Sequence, residues 1–242
     1  MKNLFRPFFE AVNFLTIIPV PIQREGDQAG DLVHIIPWFP AVGLLLGLLM
    51  YFLYWLLQNF LAVPICAVLT LMVWEIATGG LHLDGLADTV DGVAAGGGKE
   101  GILRAMRDGR LGVFAVAAIV LVLLAKFSAI SSLSTERLVL APVLGRWAMM
   151  VLARTSPPAR AEGIGKAFVP FRNDKGMVIS TAGVLAVAVF LEGFSALITV
   201  GAVALLAWGI SRFFLAKIGG ITGDVFGFTC EATEVLALIL VF

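Results

Sequence analysis

Asp84, Asp88 and Asp91 stand at i, i+4 and i+7 within the stretch Gly-Gly-Leu-His-Leu-Asp-Gly-Leu-Ala-Asp-Thr-Val-Asp-Gly at residues 79–92. On a helix of ~3.6 residues per turn they fall within an arc of about 60°, so all three can address one cation or one pair of cations. Three like charges so placed repel, and a hard divalent metal relieves that repulsion. Carboxylates and water suit Mg²⁺ or Mn²⁺ better than zinc. A merely solvated acidic face is the plainer alternative. Two features favour the metal: Gly85, Ala87, Gly92 and Ala94 leave room beside the acids for a bulky ligand, and the segment abuts apolar runs where unpaired charge is expensive.

Cations follow at once. Arg107 and Arg110 lie i, i+3 just before an apolar run, where guanidinium forks can hold phosphate oxygens in pairs; simple anchoring on the positive side of a membrane would also account for them. Gly96-Gly97-Gly98-Lys99 looks like a phosphate cradle or a flexible linker, and lacks Walker A spacing. His82 could be a general base, an outer partner of a ligand, or an interfacial residue. A second polar cluster carries Gly219, Gly220, Gly223 and Gly227 around Asp224, with Glu231 and Glu234 after it. It reads as a second half-site for metal or nucleotide, with a helix resuming near Glu231, or as an interfacial re-entry loop.

The elements that must position these groups are membrane helices. Apolar residues make up 60% of the chain and charged residues 14%, against roughly 45–50% and about 25% in soluble domains; mean hydropathy is +0.98. The expectation is an all-α polytopic bundle in one integral membrane domain, residues 1–242. Residues 79–112 form its cytoplasmic-face catalytic segment. Runs of about 20 apolar residues place spans at 38–61, 65–78 (short, or broken at Gly79-Gly80), 111–133, 138–153, 177–191 and 195–210. The tail 235–242 is too short to cross. Phe5, Phe8, Phe9, Val12 and Leu15 recur near helical spacing, which predicts a retained N-terminal interfacial helix. Lys2, Arg6, Arg24, the 99–110 cations, the 154–175 cations, Arg212 and Lys217 all fall on one side of six alternating spans, whereas the opposite loops hold only Arg137. That bias sets the polar side in the cytoplasm. Cys66 and Cys230 lack metal-type spacing and read as free thiols.

Three charges fall inside apparent spans: Glu75, Lys126 and Arg146. Such groups usually face a bundle interior and mark a functional path. The structural alternative is mutual neutralisation, Glu75 with Lys126 or Arg146.

The chain resembles the cobalamin synthase family, the adenosylcobinamide-GDP ribazoletransferases. The resemblance covers nearly its whole length. It rests on Phe14-Leu-Thr-Ile-Ile-Pro19, the 79–92 stretch, Met106-Arg-Asp-Gly-Arg-Leu-Gly112, Gly145-Arg-Trp147, Arg160-Ala-Glu-Gly-Ile-Gly165 and Gly220-Ile-Thr-Gly-Asp224. Two departures stand out: Arg107 where the family usually has lysine, and Ala115 where it has glycine. The resemblance implies joining of adenosylcobinamide-GDP to α-ribazole or its 5′-phosphate with GMP leaving, in a bacterial or archaeal cytoplasmic membrane, with the site facing the cytoplasm. Mg²⁺ is the implied cofactor, with Asp84, Asp88, Asp91 and Glu75 as its ligands. His82 or one of the aspartates takes the hydroxyl proton, and Arg107, Arg110, Arg146 and Asp224 hold substrate phosphates. Lipid surrounds the protein, nucleic acid is not a partner, and homo-oligomerisation is left open. CDP-alcohol phosphotransferases share the Asp88-Thr-Val-Asp91-Gly92 fragment but not the rest of their motif, which makes them the alternative family. A small ion or metabolite carrier using Glu75, Lys126 and Arg146 is the alternative class.

Overall fold

The computed structural model describes residues 5–20, 32–132, 135–168 and 171–240. Lys2 and Arg24, used above to orient the chain, lie outside them. The described residues are helical apart from loops and one isolated bridge between Pro158 and Ile221. In order the helices are α1 (Arg6–Leu15), α2 (Phe39–Leu57, entered through a 3-10 turn at Val33–Trp38), α3 (Val63–Ala77), α4 (Leu81–Ala95), α5 (Gly98–Ala105), α6 (Val113–Ser132), α7 (Arg137–Thr155), α8 (Ile164–Phe168), α9 (Asp174–Glu192), α10 (Ala196–Ile218) and α11 (Gly223–Ile239).

Prolines open several of these helices where a missing N–H matters least: Pro7 in α1, Pro40 in α2 and Pro64 in α3. Side chains cap others. Asn173 accepts from Gly176 N at 2.9 Å to start α9, and Thr222 accepts from Val225 N at 3.4 Å to start α11.

Four stretches are long and apolar enough to cross a membrane: Val33–Leu57, Val113–Ser132, Arg137–Thr155 and Asp174–Ile218; the pair α3 and α4 would make a fifth if counted as one bent span. Their outer faces carry Phe52, Trp55, Phe114, Leu121, Phe190 and Leu205, all exposed. A rim this apolar belongs against lipid, and the chain is a membrane protein. The helix break expected at Gly79-Gly80 is present. Both glycines sit at positive φ (63° and 69°) and α4 turns 84° from α3, a conformation that only glycine enters cheaply. The bend takes the aspartate helix off the line of its span.

The interior is built on α7 and α11. α7 packs on α2, α9, α10 and α11, and almost its whole length is buried. Gly43 and Gly47 of α2 admit the backbone of α7 so closely that a Cβ would lie 2.3 Å from Pro142 O or 2.6 Å from Val139 O.

α11 corrects the expectation for the C-terminal region. The helix does not resume near Glu231; it starts at Gly223 and runs unbroken to Ile239, so residues 235–239 are the end of a longer helix. At its far end Arg137 donates to Ala237 O at 3.0 Å and to Leu240 O, and pairs with Glu192 at 3.1 Å. The lone cation of the opposite loops is thus a clamp that sets α11 antiparallel to α7. Hydropathy misses this helix because protein, not lipid, surrounds its polar side chains.

Candidate active site

The aspartate face is assembled where α4 crosses the start of α11. Gly85 and Gly227 meet there: a Cβ on Gly85 would lie 2.7 Å from Asp224 O and 3.0 Å from Gly227 Cα, and one on Gly227 would lie 3.0 Å from His82 O. Only two glycines allow this approach, and it carries Asp224 to the side of Asp84 and Asp88. Burial and then the charges of Asp84, Asp224 and Asp91 push the Asp88 carboxyl up to about 6, with Arg160 opposing. Burial also raises Asp224, a rise that a hydrogen bond from the Thr222 hydroxyl (3.1 Å) and the charge of Arg160 oppose without cancelling.

Arg160 is the cation sequence reading passed over. Its loop is tied to the approach of α11 by two backbone bonds, Ala159 N to Ile221 O and Ile221 N to Pro157 O, both 2.9 Å. The motifs at 160–165 and 220–224 therefore form one folded unit, tightened by Gly165 against Thr222. Arg160 donates to Leu103 O at 2.9 Å, its Nε is buried without a partner among the described residues, and it feels Asp224, Arg107 and Asp88. A half-buried guanidinium with an unpartnered Nε, close enough to Asp224 and Asp88 to feel their charge, fits an anionic ligand lying across the site.

The remaining expected residues divide. Asp91 faces the same way as Asp84 and Asp88 but is engaged, accepting from Gly112 N and from Ala115 N (2.5 and 2.9 Å) at the start of α6. Arg107 and Arg110 are exposed after α5, and Arg110 is paired with Asp108 at 2.6 Å. Lys99 reaches Gly219 at the end of α10. No three His, Cys, Asp or Glu side chains among the described residues converge tightly enough to hold a metal by themselves.

Glu75, Arg146 and His82 are not gathered with the aspartates. Lys126, fully buried, pairs with Glu75 (3.1 Å), Glu231 (2.8 Å) and Glu234 (2.7 Å) and lies 4.8 Å from the Trp74 ring centre. Arg146, also fully buried, donates to Glu234, for which Gly145 leaves the space. The Cys230 thiol reaches Glu234 at 3.6 Å, which gives that buried thiol a structural place. His82 is buried, the nearby charges acting on it are Arg146 and Lys126, and its Nε2 has no partner among the described residues. The physical reason is helical phase: His82 precedes Asp84 by two residues, about 200° around α4, so burying one face exposes the other. The expected pairing of Glu75 with Lys126 is present. Glu231 and Glu234, read only as the end of a polar cluster, are its missed partners.

An interior closed by ion pairs, a lipid-type rim and an acidic, arginine-bearing face at one end define a helical membrane protein with a polar face. The pattern of the family described as cobalamin-5-phosphate synthase matches residues 7–242. Among its relatives, adenosylcobinamide-GDP ribazoletransferases from Roseiflexus sp. (strain RS-1), Geotalea daltonii and Ectopseudomonas mendocina are 35%, 34% and 40% identical to it. The alignments cover 97%, 98% and 95% of this chain and 88%, 96% and 95% of theirs. No solved structure matches. The chain belongs to the cobalamin-5-phosphate synthase family, and it is an enzyme.

Proposed function

We propose that the chain joins adenosylcobinamide-GDP to α-ribazole, or to α-ribazole 5′-phosphate, with release of GMP. The observation that carries this reading is the crossing of α4 and α11 at Gly85 and Gly227, which faces Asp84 and Asp88 with Asp224 and brings Arg160 beside them. In the reaction a ribose hydroxyl oxygen bonds to the phosphorus nearest the corrinoid and the anhydride bond to GMP breaks, the bonding electrons leaving with GMP. Catalysis of this kind is mostly positioning and charge neutralisation.

The donor set fits Mg²⁺. The Asp88 carboxyl is raised by burial and then by its acidic neighbours, a repulsion that a divalent cation would relieve, and all the donors are oxygens. Asp84, Asp88 and Asp224 would hold it. No three side chains among the described residues converge unaided, so these carboxylates would hold the ion only together with oxygens from outside the protein, as is usual for Mg²⁺ at phosphate sites. When bound there, the ion would supply neutralisation of charge on the diphosphate and the departing GMP. Arg160 and Arg107 bind phosphate oxygens, and Asp91 fixes α6 against α4. The hydroxyl proton goes to a carboxylate of this face rather than to His82, whose ring is buried on the other side of the helix.

Six crossings, with α7 and α11 buried among the others and the acidic face toward the cytoplasm of a bacterial or archaeal cell, complete the reading. Asp174–Ile218 is 45 residues long, about twice what one crossing needs; Gly193 interrupts it, and α9 and α10 pack on each other. Counted as two crossings, with α3 as one and α4 turned off its line, it brings the total to six. Against a carrier, Glu75, Lys126 and Arg146 are closed into one buried ion-pair network rather than strung along a path.

The test is GMP release by the purified protein from adenosylcobinamide-GDP with either acceptor, with and without Mg²⁺. No release with either acceptor refutes the activity, and release unchanged by chelation refutes the metal. Sidedness is read separately: in a background lacking Cys66 and Cys230, Gly97→Cys and Lys166→Cys should react with an impermeant thiol reagent from the cytoplasmic side and Gly193→Cys from the other.

A further inference from the structure

The Phe14-Leu-Thr-Ile-Ile-Pro19 motif takes no part in the chemistry above, yet it is held with unusual care. Asn13 clasps Val20 through both its amide oxygen and its amide nitrogen, at 3.2 Å each. The Thr16 hydroxyl donates to Val12 O at 2.7 Å and accepts from Ile18 N at 3.2 Å. Ile17 N donates to Ala77 O at 2.9 Å, tying the segment to the end of α3. Ile17 also packs so near Gly79 that a Cβ there would lie 2.8 Å from its methyl group. The motif is thereby pinned beside the glycine break that bends α3 away from α4.

A cleft of about 590 Å³ opens at that break. Phe14 and Ile17 form one wall, Leu83 and Ala87 of α4 another, and Ile119 of α6 a third; Asp84 stands on its edge. The Phe14 ring is fixed by the edge of Phe168 at 5.1 Å. Its size lies within the ~300–1,000 Å³ range of small-molecule sites, which are mostly apolar with a few placed polar groups.

Resting on the activity proposed above, we infer that this cleft is the acceptor site: it takes the methylated bicyclic base of α-ribazole between the 14–19 motif and α4, and presents the ribose toward Asp84. The chemistry of the walls selects among the reactants. Among the described residues no Lys or Arg lines the cleft, a lining that suits an apolar base better than the diphosphate or GMP. A corrin macrocycle with its amide arms is too large for it and calls for hydrogen-bond donors. An apolar heteroaromatic base attached to a sugar matches both the apolar walls and the single carboxylate at the edge, and the sugar must lie at the carboxylates for its hydroxyl to react.

The test uses the full chain in detergent or nanodiscs with Leu83→Trp, which fills the cleft, and Leu83→Ala, which enlarges it. Leu83→Trp should raise KM for α-ribazole by about tenfold or more, the ratio that ~1.4 kcal/mol of lost binding gives, while KM for adenosylcobinamide-GDP stays within about twofold. Equilibrium dialysis of α-ribazole alone, without corrinoid, should show the same loss. Leu83→Ala should shift preference toward a ribazole with a bulkier base, a readout that survives if the tryptophan variant does not fold. Equal changes in both KM values, a change only for adenosylcobinamide-GDP, or unaltered acceptor binding and base preference would overturn the assignment. Wild-type GMP release with such a result sinks the acceptor site alone, whereas absence of wild-type release sinks the activity itself.

Discussion

Asp88→Asn should make the protein more stable and inactive, and the gain should depend on pH. The Asp88 carboxyl is raised from an ordinary 3.8 to about 6, first by burial and then by Asp84, Asp224 and Asp91. A carboxyl raised on folding favours the folded state at acid pH; that contribution is complete below the unfolded value and is lost as pH rises through about 6. At pH 7.5 the wild type therefore bears the full repulsion. Two units at ~1.4 kcal/mol each would give about 3 kcal/mol, but Asp88 is half-buried and water screens its neighbours, so roughly 1 kcal/mol is the expected size. Asparagine keeps the shape and removes the charge. For a chain of this length that is about 2–4 °C in Tm, present at pH 7.5 and fading toward pH 4. Thermal unfolding of the purified protein across that range measures it, beside GMP release at each pH. Added Mg²⁺ should raise the wild-type Tm and leave the variant's nearly unchanged. A variant less stable than wild type at pH 7.5, or a difference independent of pH, would show that the acidic face is not under repulsion and has no charge for a metal to relieve.

Gly85→Leu should cut turnover by on the order of 10²-fold with little change in membrane insertion, because the side chain must push Asp224 and Gly227 away from α4; normal kcat would mean that the crossing does not set the site. Asp91→Ala should cost about 1 kcal/mol of stability through loss of the two bonds to Gly112 and Ala115 and leave measurable turnover, whereas Asp84→Ala should leave none; equal loss of turnover in both would give Asp91 a direct role. Arg160→Ala and Arg107→Ala should each lower kcat by roughly 10²–10³-fold, and Arg107→Lys should keep much of the rate because the charge survives. An active Arg107→Ala variant would leave that residue as an anchor on the membrane face.

What could be read from the sequence was what is local. The i, i+4, i+7 aspartates, the break at Gly79-Gly80 and the apolar runs each depend on neighbours within a turn or two, and each is found in the structure. Spacing could not tell a shared ligand set from a cap: Asp91 fits the stripe perfectly well, yet its carboxylate serves the first turn of α6, a partner fixed by how two helices meet. Arg146 was legible as a buried charge but not as Glu234's partner, because only the packing of α7 on α11 brings them together. Arg160 was visible in a motif, but its neighbour Asp224 becomes visible only through the backbone bridge at Ile221.

α11 joins these separate results. It carries Asp224 in its first turn and Glu231 and Glu234 two to three turns on, so one rigid element links the acidic face to the buried ion pairs. Lys126 of α6 binds both glutamates and Arg146 of α7 binds Glu234. Advancing the helix by one residue would swing those carboxylates by about 100° and leave both cations unpaired in the interior, where an unpaired charge is far more costly than a shifted apolar contact. The same rotation would turn Asp224 away from Asp84 and drive Gly227 off Gly85. The charges that look like a transport path in the sequence therefore act as the register of a helix. The composition that hides α11 from hydropathy, glutamates in place of lipid-facing residues, is what holds the second half of the acidic face in place.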